Sequence, residues 1–127
     1  MKIFGIGTDI IKVKRLRKLI NKKTSLFRLF HHNEVLRCNR TKNSLNCFAK
    51  RFAAKEAFSK ALGTGISKGI SFNEIIILNE KNGKPFIKVI DKTKKIVEKK
   101  IKKKKFKISL SLTDEGSYAV AFVTISI

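Results

Sequence analysis

The feature that most constrains this chain is a long helix predicted from Asn46 to Leu62, near the middle of the sequence. The segment is rich in Ala, Phe and Lys, contains neither Pro nor Gly, and is followed by Gly63, a common residue at helix C-termini. One side of the helix carries small side chains that let a second element pack closely. These residues are Ala53, Ala54, Ala57 and Ala61. We therefore expect this side to be buried.

Strand candidates lie before and after this helix. The first covers Lys2 to Ile11 and contains Gly5 and Gly7, where the missing side chains permit another backbone to approach closely. The dipeptide Asn82-Gly83 predicts a hairpin turn between two later candidates. The later candidates are Ile70 to Leu78, Lys84 to Ile90, Phe106 to Leu112 and Tyr118 to Ile127. The last two are expected to form a closing antiparallel hairpin.

Shorter helices are predicted between the strands. Apolar residues recur at helical spacing from Val13 to Ile20 and again around Phe27, and Asn33 is a candidate cap for a third short helix. Asp91 is a candidate cap for a lysine-rich helix that reaches about Lys104. Early helices followed by strands with one intervening helix favour a mixed α+β fold over a doubly wound sheet. The chain of 127 residues has the length of one domain, which we expect to cover residues 1–127.

The charge of the chain is strongly positive. Its 30 Lys and Arg against nine Asp and Glu give a formal net charge of +21, which attracts polyanions and acidic proteins. A basic nucleic-acid-binding module is therefore the alternative function class. The sequence has one Tyr, no Trp, no zinc-ligand spacing and no aromatic and basic repeat typical of RNA binding. We expect no nucleic-acid partner and interpret much of the charge as a solvated lysine-rich surface.

Two cysteines, Cys38 and Cys47, occur without CxxC spacing, and no secretion signal is recognisable. We expect both thiols to be reduced. Adjacent His31 and His32 diverge on a helix and have no third ligand at a recognisable spacing, so we expect surface residues rather than a metal site. The apolar runs are far shorter than the ~20 residues that span a bilayer. A cytoplasmic protein without stable membrane insertion is predicted.

The second side of the central helix is polar in a definite order. Arg51, Lys55 and Ser59 lie within an arc of about 80°, and Glu56 and Lys60 follow on the adjoining face. On spacing alone, the preferred interpretation of Glu56 and Lys60 is an ordinary i,i+4 ion pair that contributes about 0.3 kcal/mol. The same spacing is also suited to a chemical site, and the residues by themselves leave both readings open.

Two further motifs have the same ambiguity. Gly63-Thr64-Gly65 is either a simple helix stop or a backbone loop that holds a phosphate. Asp9, at the far end of the first strand, is either a cap of the next helix or a ligand of a cation.

The motifs taken together resemble one family. The opening segment Gly5-Ile6-Gly7-Thr8-Asp9-Ile10 and the block RFAAKEAFSKALGTG at residues 51–65 are similar to those of the holo-acyl-carrier-protein synthases, the small bacterial type of 4′-phosphopantetheinyl transferase. The resemblance continues through Asn82-Gly83-Lys84-Pro85 and Ser111-Leu112-Thr113-Asp114 to Tyr118-Ala119, so it covers nearly the whole chain in order. It implies a small α+β transferase fold in which an antiparallel sheet packs with a long central helix.

The resemblance also implies an activity. Family members are transferases of lipid metabolism that move the 4′-phosphopantetheine group of coenzyme A to a serine of an acidic acyl carrier protein, release adenosine 3′,5′-bisphosphate and support fatty acid biosynthesis. By position, Asp9 and Glu56 match the carboxylates that hold Mg²⁺, and Lys60 matches a lysine beside the reacting phosphate. These types suit the chemistry, because Mg²⁺ takes a few carboxylates and completes its coordination with waters and substrate phosphates.

Further roles follow from the same resemblance. It implies that Arg15 docks the carrier protein and that the enzyme is a homotrimer with active sites at subunit boundaries. Two residues depart from the family pattern: Lys12 stands where an acidic residue is frequent, and Asp114 stands where many members have histidine. Asp114 is either a catalytic base or a hairpin-turn aspartate. The residues implied to bind coenzyme A are Arg51, Lys55, Ser59, Gly63, Thr64 and Gly65.

Overall fold

The computed structural model describes residues 1–63 and 69–127. The strands are β1 (Ile3–Lys12), β2 (Ile75–Asn79), β3 (Pro85–Val89), β4 (Lys107–Glu115) and β5 (Tyr118–Ser126). The α-helices are α1 (Leu16–Ile20), α2 (Lys23–Leu29), α3 (His32–Arg40), α4 (Ser44–Leu62) and α5 (Asp91–Ile101). Short 3-10 helices cover Val13–Arg15 and Phe72–Glu74. The predicted α+β class is confirmed.

The strands form two antiparallel sheets. One sheet has the order β1-β5-β4, and the other consists of β2 and β3. The predicted closing hairpin exists, but β4 continues to Glu115, which pairs with Tyr118, so only Gly116 and Ser117 form the turn. In β1, Asp9 lies opposite Ala121 of β5. The hairpin predicted at Asn82-Gly83 joins β2 to β3.

The long helix α4 packs directly on β1, and two glycines make this contact possible. A Cβ atom added at Gly7 would lie 1.9 Å from the carbonyl oxygen of Ala57, and one at Gly5 would lie 1.9 Å from that of Ala61. No side chain fits at such distances. The glycines of β1 and the alanines of α4 were both predicted to allow close packing, and the structure shows that they meet each other.

The hydrophobic core lies between α4, the three-stranded sheet and β2. Ala53, Ala54, Ala57, Phe58 and Leu62 of α4 are buried in it. From the sheet side, alternate residues of β5 enter the core, as expected for a strand with one covered face. These are Ala119, Ala121, Val123 and Ile125.

Some predicted element boundaries and helix caps were wrong, because the hydrogen bonds at the ends of these elements come from residues other than those predicted. The segment predicted as a strand from Ile70 is partly a 3-10 helix, and Oε1 of Glu74 accepts hydrogen bonds from the backbone and the hydroxyl of Thr93. Glu74 therefore caps the start of α5, a role that was predicted for Asp91. Likewise His31, rather than Asn33, caps α3 through its Nδ1 atom.

The lysine-rich helix α5 ends earlier than predicted. Its last residue is Ile101, and Lys102 adopts a left-handed conformation with φ of 62°. Thr93, Val97 and Ile101 are buried, while the lysines are exposed on the outer side. Val97 and Ile101 were predicted as part of a thin apolar stripe.

The expectation that the two cysteines are reduced was wrong in this structure. Cys38 of α3 and Cys47 of the first turn of α4 form a disulfide bond, with their Cα atoms 5.4 Å apart. A tight connection between the two helices brings the residues together, which their separation in sequence did not reveal.

Among the residues that the structure describes, no helix has both the length and the apolar character needed to cross a membrane.

Candidate active site

Two predicted site residues meet where β1 crosses α4. Asp9 follows Gly5 and Gly7 on the face of β1 that lies against the helix, because alternate residues of a strand share a face. Nζ of Lys60 donates to Oδ1 of Asp9 at 3.2 Å and to the carbonyl oxygen of Thr8 at 2.9 Å. The fold thus joins residues that are 51 positions apart in the sequence.

Glu56 lies one helical turn before Lys60 and is half-buried. Burial raises the pKa of its carboxyl group, and the negative charge of Asp9 raises it further, whereas Lys60 and Arg15 act in the opposite direction. Glu56, Asp9, Lys60 and Arg15 are therefore close enough to influence one another. Within the described residues, the ion pair of Lys60 is with Asp9 and not with Glu56. The simple surface pair between positions 56 and 60 does not form.

The donor set at this centre fits a hard cation that also binds a substrate. In the described part of the chain, no three His, Cys, Asp or Glu side chains are grouped so that they could hold a metal ion unaided. Asp9 and Glu56 are two carboxylates whose charges repel each other, as the raised pKa of Glu56 indicates. Mg²⁺ is commonly bound by one or two carboxylates together with waters and phosphate oxygens. Asp9 and Glu56 meet that requirement.

A polar cleft of about 570 Å³ opens on another side of α4. We call it the basic cleft, because four cationic side chains line it beside one carboxylate, that of Asp114. The cationic residues are Arg37, Lys42, Lys50 and Arg51. Asn43, Asn46, Asn79, Cys47, Thr41, Gly83, Pro85 and Leu112 complete the lining. An excess of positive charge in a concave surface favours a phosphorylated ligand.

Arg51 is held in the wall of the basic cleft. Its Nη2 donates to Oδ1 of Asn79 at 2.8 Å and its Nη1 donates to Sγ of Cys47 at 3.3 Å. Its Nε has no hydrogen-bond partner among the described residues, although it is buried. The guanidinium adds a positive charge to the wall of the basic cleft, and such a charge favours an anionic ligand there.

The assignment of Lys55 to coenzyme A binding is contradicted by the structure. The residue is fully buried, and its Nζ donates to Oε1 of Glu34 at 2.6 Å and to two backbone carbonyl oxygens. Those carbonyls belong to Phe72 and Ile75, each at 2.7 Å. An ammonium group has three donors, so none is left for a ligand. Burial lowers the pKa of Lys55 to about 8, against the attraction of Glu34.

Ser59 is also buried, and its hydroxyl donates to the carbonyl oxygen of Lys55 at 3.1 Å. The structure places it inside the helix packing rather than on a ligand surface. Gly63 ends α4 with φ of 85°, as expected for a helix stop, and its implied contact with coenzyme A stays a prediction. Thr64 and Gly65 lie outside the described residues. Their predicted contact with coenzyme A stays a prediction.

Asp114 lies within β4, where it pairs with Ala119 of β5, so it is not part of the two-residue turn. Its Oδ2 accepts a hydrogen bond from Asn46 at 2.9 Å, and its Oδ1 lies 3.7 Å from Nζ of Lys50. Sequence reasoning missed Lys50 and Asn46 as cleft residues, along with Arg37. Their signal was weak, because single Lys, Arg and Asn residues on two separate helices, α3 and α4, show no motif until the fold brings them together.

A second concave surface begins at Glu56. We call it the apolar pocket; it has a volume of about 400 Å³. Its lining consists of Leu19, Leu29, Phe52, Ile70 and Phe72 with Arg28, Glu56, Ser71 and Asn73. Arg15 is exposed in the 3-10 helix that leads from β1 into α1. Arg28 of α2 lines the apolar pocket together with Glu56, and Arg15 is close enough to Glu56 to act on its pKa.

Solved structures share this architecture. A holo-acyl-carrier-protein synthase from Neisseria meningitidis aligns with a TM-score of 0.84 and 38% identity, covering 98% of this chain and 99% of the other. A holo-acyl-carrier-protein synthase from Bacillus anthracis, solved in complex with coenzyme A (3′,5′-ADP), aligns with a TM-score of 0.79 and 32% identity, covering 99% and 98%. The predicted transferase fold is confirmed.

Sequence comparison gives the same result. The holo-acyl-carrier-protein synthase of Pelagibacter ubique (strain HTCC1062) is 45% identical over 123 residues, which are 97% of this chain and 96% of that protein. The family model described as the 4′-phosphopantetheinyl transferase superfamily matches residues 5–123. The chain therefore belongs to the 4′-phosphopantetheinyl transferase superfamily, among the holo-acyl-carrier-protein synthases.

Proposed function

We propose that this protein transfers the 4′-phosphopantetheine group of coenzyme A to a serine of an apo acyl carrier protein, in support of fatty acid biosynthesis. The observation that carries the proposal is the convergence of Asp9, Glu56 and Lys60 where β1 crosses α4. Two carboxylates and an ammonium group at one place are suited to phosphoryl transfer, in which the protein positions the reactants and stabilises charge.

The reaction follows from these groups. The serine hydroxyl attacks the phosphorus that bears the pantetheine arm, the bond to the bridging oxygen breaks, and adenosine 3′,5′-bisphosphate leaves. Glu56 accepts the serine proton, directly or through a water, because burial keeps its carboxylate more basic than a solvated one. Lys60, held at Asp9, offsets the negative charge on the leaving group.

We propose Mg²⁺ as the cofactor, held by Asp9 and Glu56. Asp9 and Glu56 would hold the ion beside the pyrophosphate of coenzyme A, where its positive charge would offset negative charge on the phosphate oxygens. The supporting observation is the pair of carboxylates beside an open face, with no third acidic ligand among the described residues. Such a pair leaves coordination positions for the substrate and for waters.

Coenzyme A carries phosphate at two places, the pyrophosphate and the ribose 3′-position. The Asp9 and Glu56 centre suits the pyrophosphate, and the basic cleft suits the 3′-phosphate end. Arg51 and Glu56 are about 140° apart around α4, so the two sites of one chain open on nearly opposite faces of this helix. A ligand cannot pass through the buried helix. We therefore propose that the basic cleft of one copy completes the acidic centre of a neighbouring copy in a homotrimer.

The outer face of the three-stranded sheet supports such an assembly. Large apolar side chains are exposed there on β1 and β5, and exposed apolar patches commonly mark protein interfaces. Ile6 is 60%, Ile10 is 62% and Phe122 is 46% exposed. In the sheet register Thr8 lies opposite Phe122, so Ile6 and Ile10 flank the Phe122 position.

We propose that the acyl carrier protein docks on the surface formed by Arg15, α1, α2 and the apolar pocket. The cationic side chains attract an acidic helix, and the pocket accepts an apolar side chain from it. Glu56 lines the same pocket, so a serine beside that helix would arrive next to the proposed base.

Mass spectrometry of the carrier protein tests the activity. The protein is incubated with an apo carrier protein, coenzyme A and Mg²⁺, and the carrier should gain the mass of one phosphopantetheine group. A carrier whose serine is replaced by alanine is the control and should gain nothing. A nucleic-acid-binding module would leave both carriers unmodified, and that result would overturn the proposed function.

Mixing two inactive variants tests whether sites are shared. Glu56→Gln disables the acidic centre, and Lys50→Glu places a negative charge in the basic cleft. If each site combines Glu56 of one copy with Lys50 of a neighbour, random mixed trimers recover about one quarter of wild-type sites. If the two variants are refolded together into trimers and no activity returns, the sites are not shared. If light scattering shows a monomer, the proposed homotrimer is wrong.

A further inference from the structure

The disulfide bond lies at the wall of the basic cleft. Cys38 on α3 is fully buried, whereas Cys47 on α4 contributes to the lining of the cleft. The segment between them supplies Thr41, Lys42 and Asn43 to the same lining. The bond thus closes a short loop whose residues form one side of the proposed binding site for the 3′-phosphate end.

The bond also contacts Arg51, one of the cationic residues that line the basic cleft. Nη1 of Arg51 donates to Sγ of Cys47 at 3.3 Å, while Nε of the same guanidinium has no partner among the described residues. A change at Cys47 therefore changes the surroundings of Arg51 directly. Cleavage of the bond also frees α3 from α4, because the two helices are then joined only through the connecting loop.

We propose that the Cys38–Cys47 bond is a redox-sensitive control of coenzyme A binding, in which the bridged protein binds the nucleotide end more tightly than the reduced protein. This inference rests on the proposed function, since it takes the basic cleft as the site of the adenosine bisphosphate end. The direction follows from preorganisation: the bridge holds Arg51 and the loop in place before the ligand arrives, so less conformational freedom is lost on binding.

The chemistry is thiol–disulfide exchange with a small thiol. One thiolate attacks Sγ of Cys47 at the cleft, forms a mixed disulfide and expels the Cys38 thiolate, which takes up a proton. A second thiolate attacks the sulfur of the bound thiol and releases Cys47 and a small disulfide. Two electrons and two protons pass from two small thiols to the protein.

The surroundings of Cys47 favour this exchange. Arg37, Lys50 and Arg51 line the same cleft, and nearby cationic groups stabilise a thiolate. Cys47 is the leaving thiolate of the second step, and a stabilised thiolate is the better leaving group. Cys38 has no exposed surface, whereas Cys47 is 5% exposed and lines the cleft, so attack occurs at Cys47 from the cleft. A buried structural bond far from any cleft would lack both features.

Calorimetric binding of adenosine 3′,5′-bisphosphate tests the inference. This probe has no thiol and cannot reduce the bond itself. We expect the dissociation constant of the protein oxidised with glutathione disulfide to rise about tenfold after reduction with dithiothreitol. Cys38→Ser should bind as weakly as the reduced protein and should not respond to dithiothreitol. In transfer assays, reduction should raise the KM for coenzyme A and leave kcat within about twofold.

A destabilised control separates this effect from a general loss of stability. Val97→Ala removes buried volume from α5, away from the cleft lining, and should keep the oxidised dissociation constant and its response to dithiothreitol. Equal binding by the oxidised and reduced wild-type protein would overturn the inference, as would two free thiols that glutathione disulfide cannot oxidise. If adenosine 3′,5′-bisphosphate binds neither the oxidised nor the reduced protein, the assignment of the basic cleft as the nucleotide site is wrong instead.

Discussion

At the scale of single residues, the candidate site depends on the partner that each charged group finds. Lys60 donates to Asp9 and to the backbone of β1, which leaves the half-buried carboxylate of Glu56 without an ion-pair partner within the described residues. Glu56 is therefore free to act on a substrate proton or a cation. An ordinary i,i+4 pair on the helix surface would have neutralised it.

Replacement of Glu56 by Gln should slow transfer by about 100-fold or more, about 2.7 kcal/mol of barrier, because the amide neither holds a cation nor accepts a proton. Lys60→Ala should also slow transfer by removing positive charge beside the leaving group. The measurement is single-turnover transfer at saturating substrates, together with a thermal melt.

Glu80→Gln makes the same chemical change at an exposed position and should leave transfer unchanged. Near-native transfer in both Glu56→Gln and Lys60→Ala would remove these residues from the mechanism.

The raised pKa of Glu56 predicts how activity depends on pH. The ionised carboxylate is the active form, so activity is present above its pKa and is lost as the pH falls through it. Because burial and Asp9 raise this pKa, the loss should begin at a higher pH than for a solvated glutamate. Arg15→Gln removes an opposing charge and should move the acidic limb of kcat/KM to still higher pH. If the Glu56→Gln variant keeps the same acidic limb, the titration of another group causes that limb.

Asp9→Asn should make the enzyme require more Mg²⁺, because the amide keeps the shape of the side chain but lacks the charge that holds a hard cation. Transfer rates are measured across a Mg²⁺ titration. Asp91→Asn serves as the matched control, since Asp91 is exposed at the start of α5 and its positive φ of 54° suits asparagine. Full activity of Asp9→Asn with an unchanged titration would exclude Asp9 from the site.

At the scale of elements, a buried ion pair ties α3, α4 and β2 together. Oε1 of Glu34 accepts from Lys55, and Oε2 accepts from the backbone of Ile77 at 3.1 Å. Every oxygen of this carboxylate is thus occupied by a donor. The pair fixes the position of α4 along its axis relative to β2. Glu56 directly follows Lys55 on α4, so its position is fixed as well. Lys55 supports the site through the fold rather than through contact with the substrate.

Lys55→Met should destabilise the protein by about 3–5 kcal/mol, because it leaves the buried charge of Glu34 without its partner. The double variant Glu34→Leu with Lys55→Met removes both charges and should recover much of that loss. Denaturant unfolding measures the stabilities, and calorimetry measures coenzyme A binding to the folded single variant. We expect that affinity to stay within about twofold; a large loss of affinity in a stable variant would restore Lys55 to the binding site.

At the scale of the whole molecule, the net charge of +21 raises the rate at which the protein encounters acidic partners. The lysines of α5 add to the general attraction, whereas Arg15 and Arg28 lie beside Glu56 and the apolar pocket. Local charge at the docking surface should therefore matter more for orientation than the bulk charge does.

Arg15→Glu should raise the KM for the carrier protein by about tenfold and leave coenzyme A binding nearly intact. Added salt should reproduce part of this effect in the wild-type protein by screening the attraction. Lys95→Glu changes the net charge equally on exposed α5 and should have a much smaller effect. Loss of coenzyme A affinity with normal carrier kinetics would show that Arg15 does not dock the carrier.

The sequence alone determined the elements whose signals are local. Helix α4 was predicted from its composition and the glycine that ends it, and β1 from its strand-like pattern. The β2–β3 hairpin was predicted from Asn82-Gly83, and the closing hairpin from its two alternating strands. Asp9, Glu56 and Lys60 were recognised through the motif blocks that carry the family resemblance. Such signals need only neighbours within a few positions, since propensity, capping and periodicity act over one or two turns.

Only the tertiary structure decided which side chains meet. Helical spacing placed Lys55 on a polar arc, but the spacing does not tell which element covers that arc, and Glu34 with β2 buries it. The same reason applies to Lys60 and Asp9, to the Cys38–Cys47 bond, and to the basic cleft drawn from α3, α4 and β4. A charged group takes the partner that the packing supplies, and that partner is set by contacts between segments far apart in the chain.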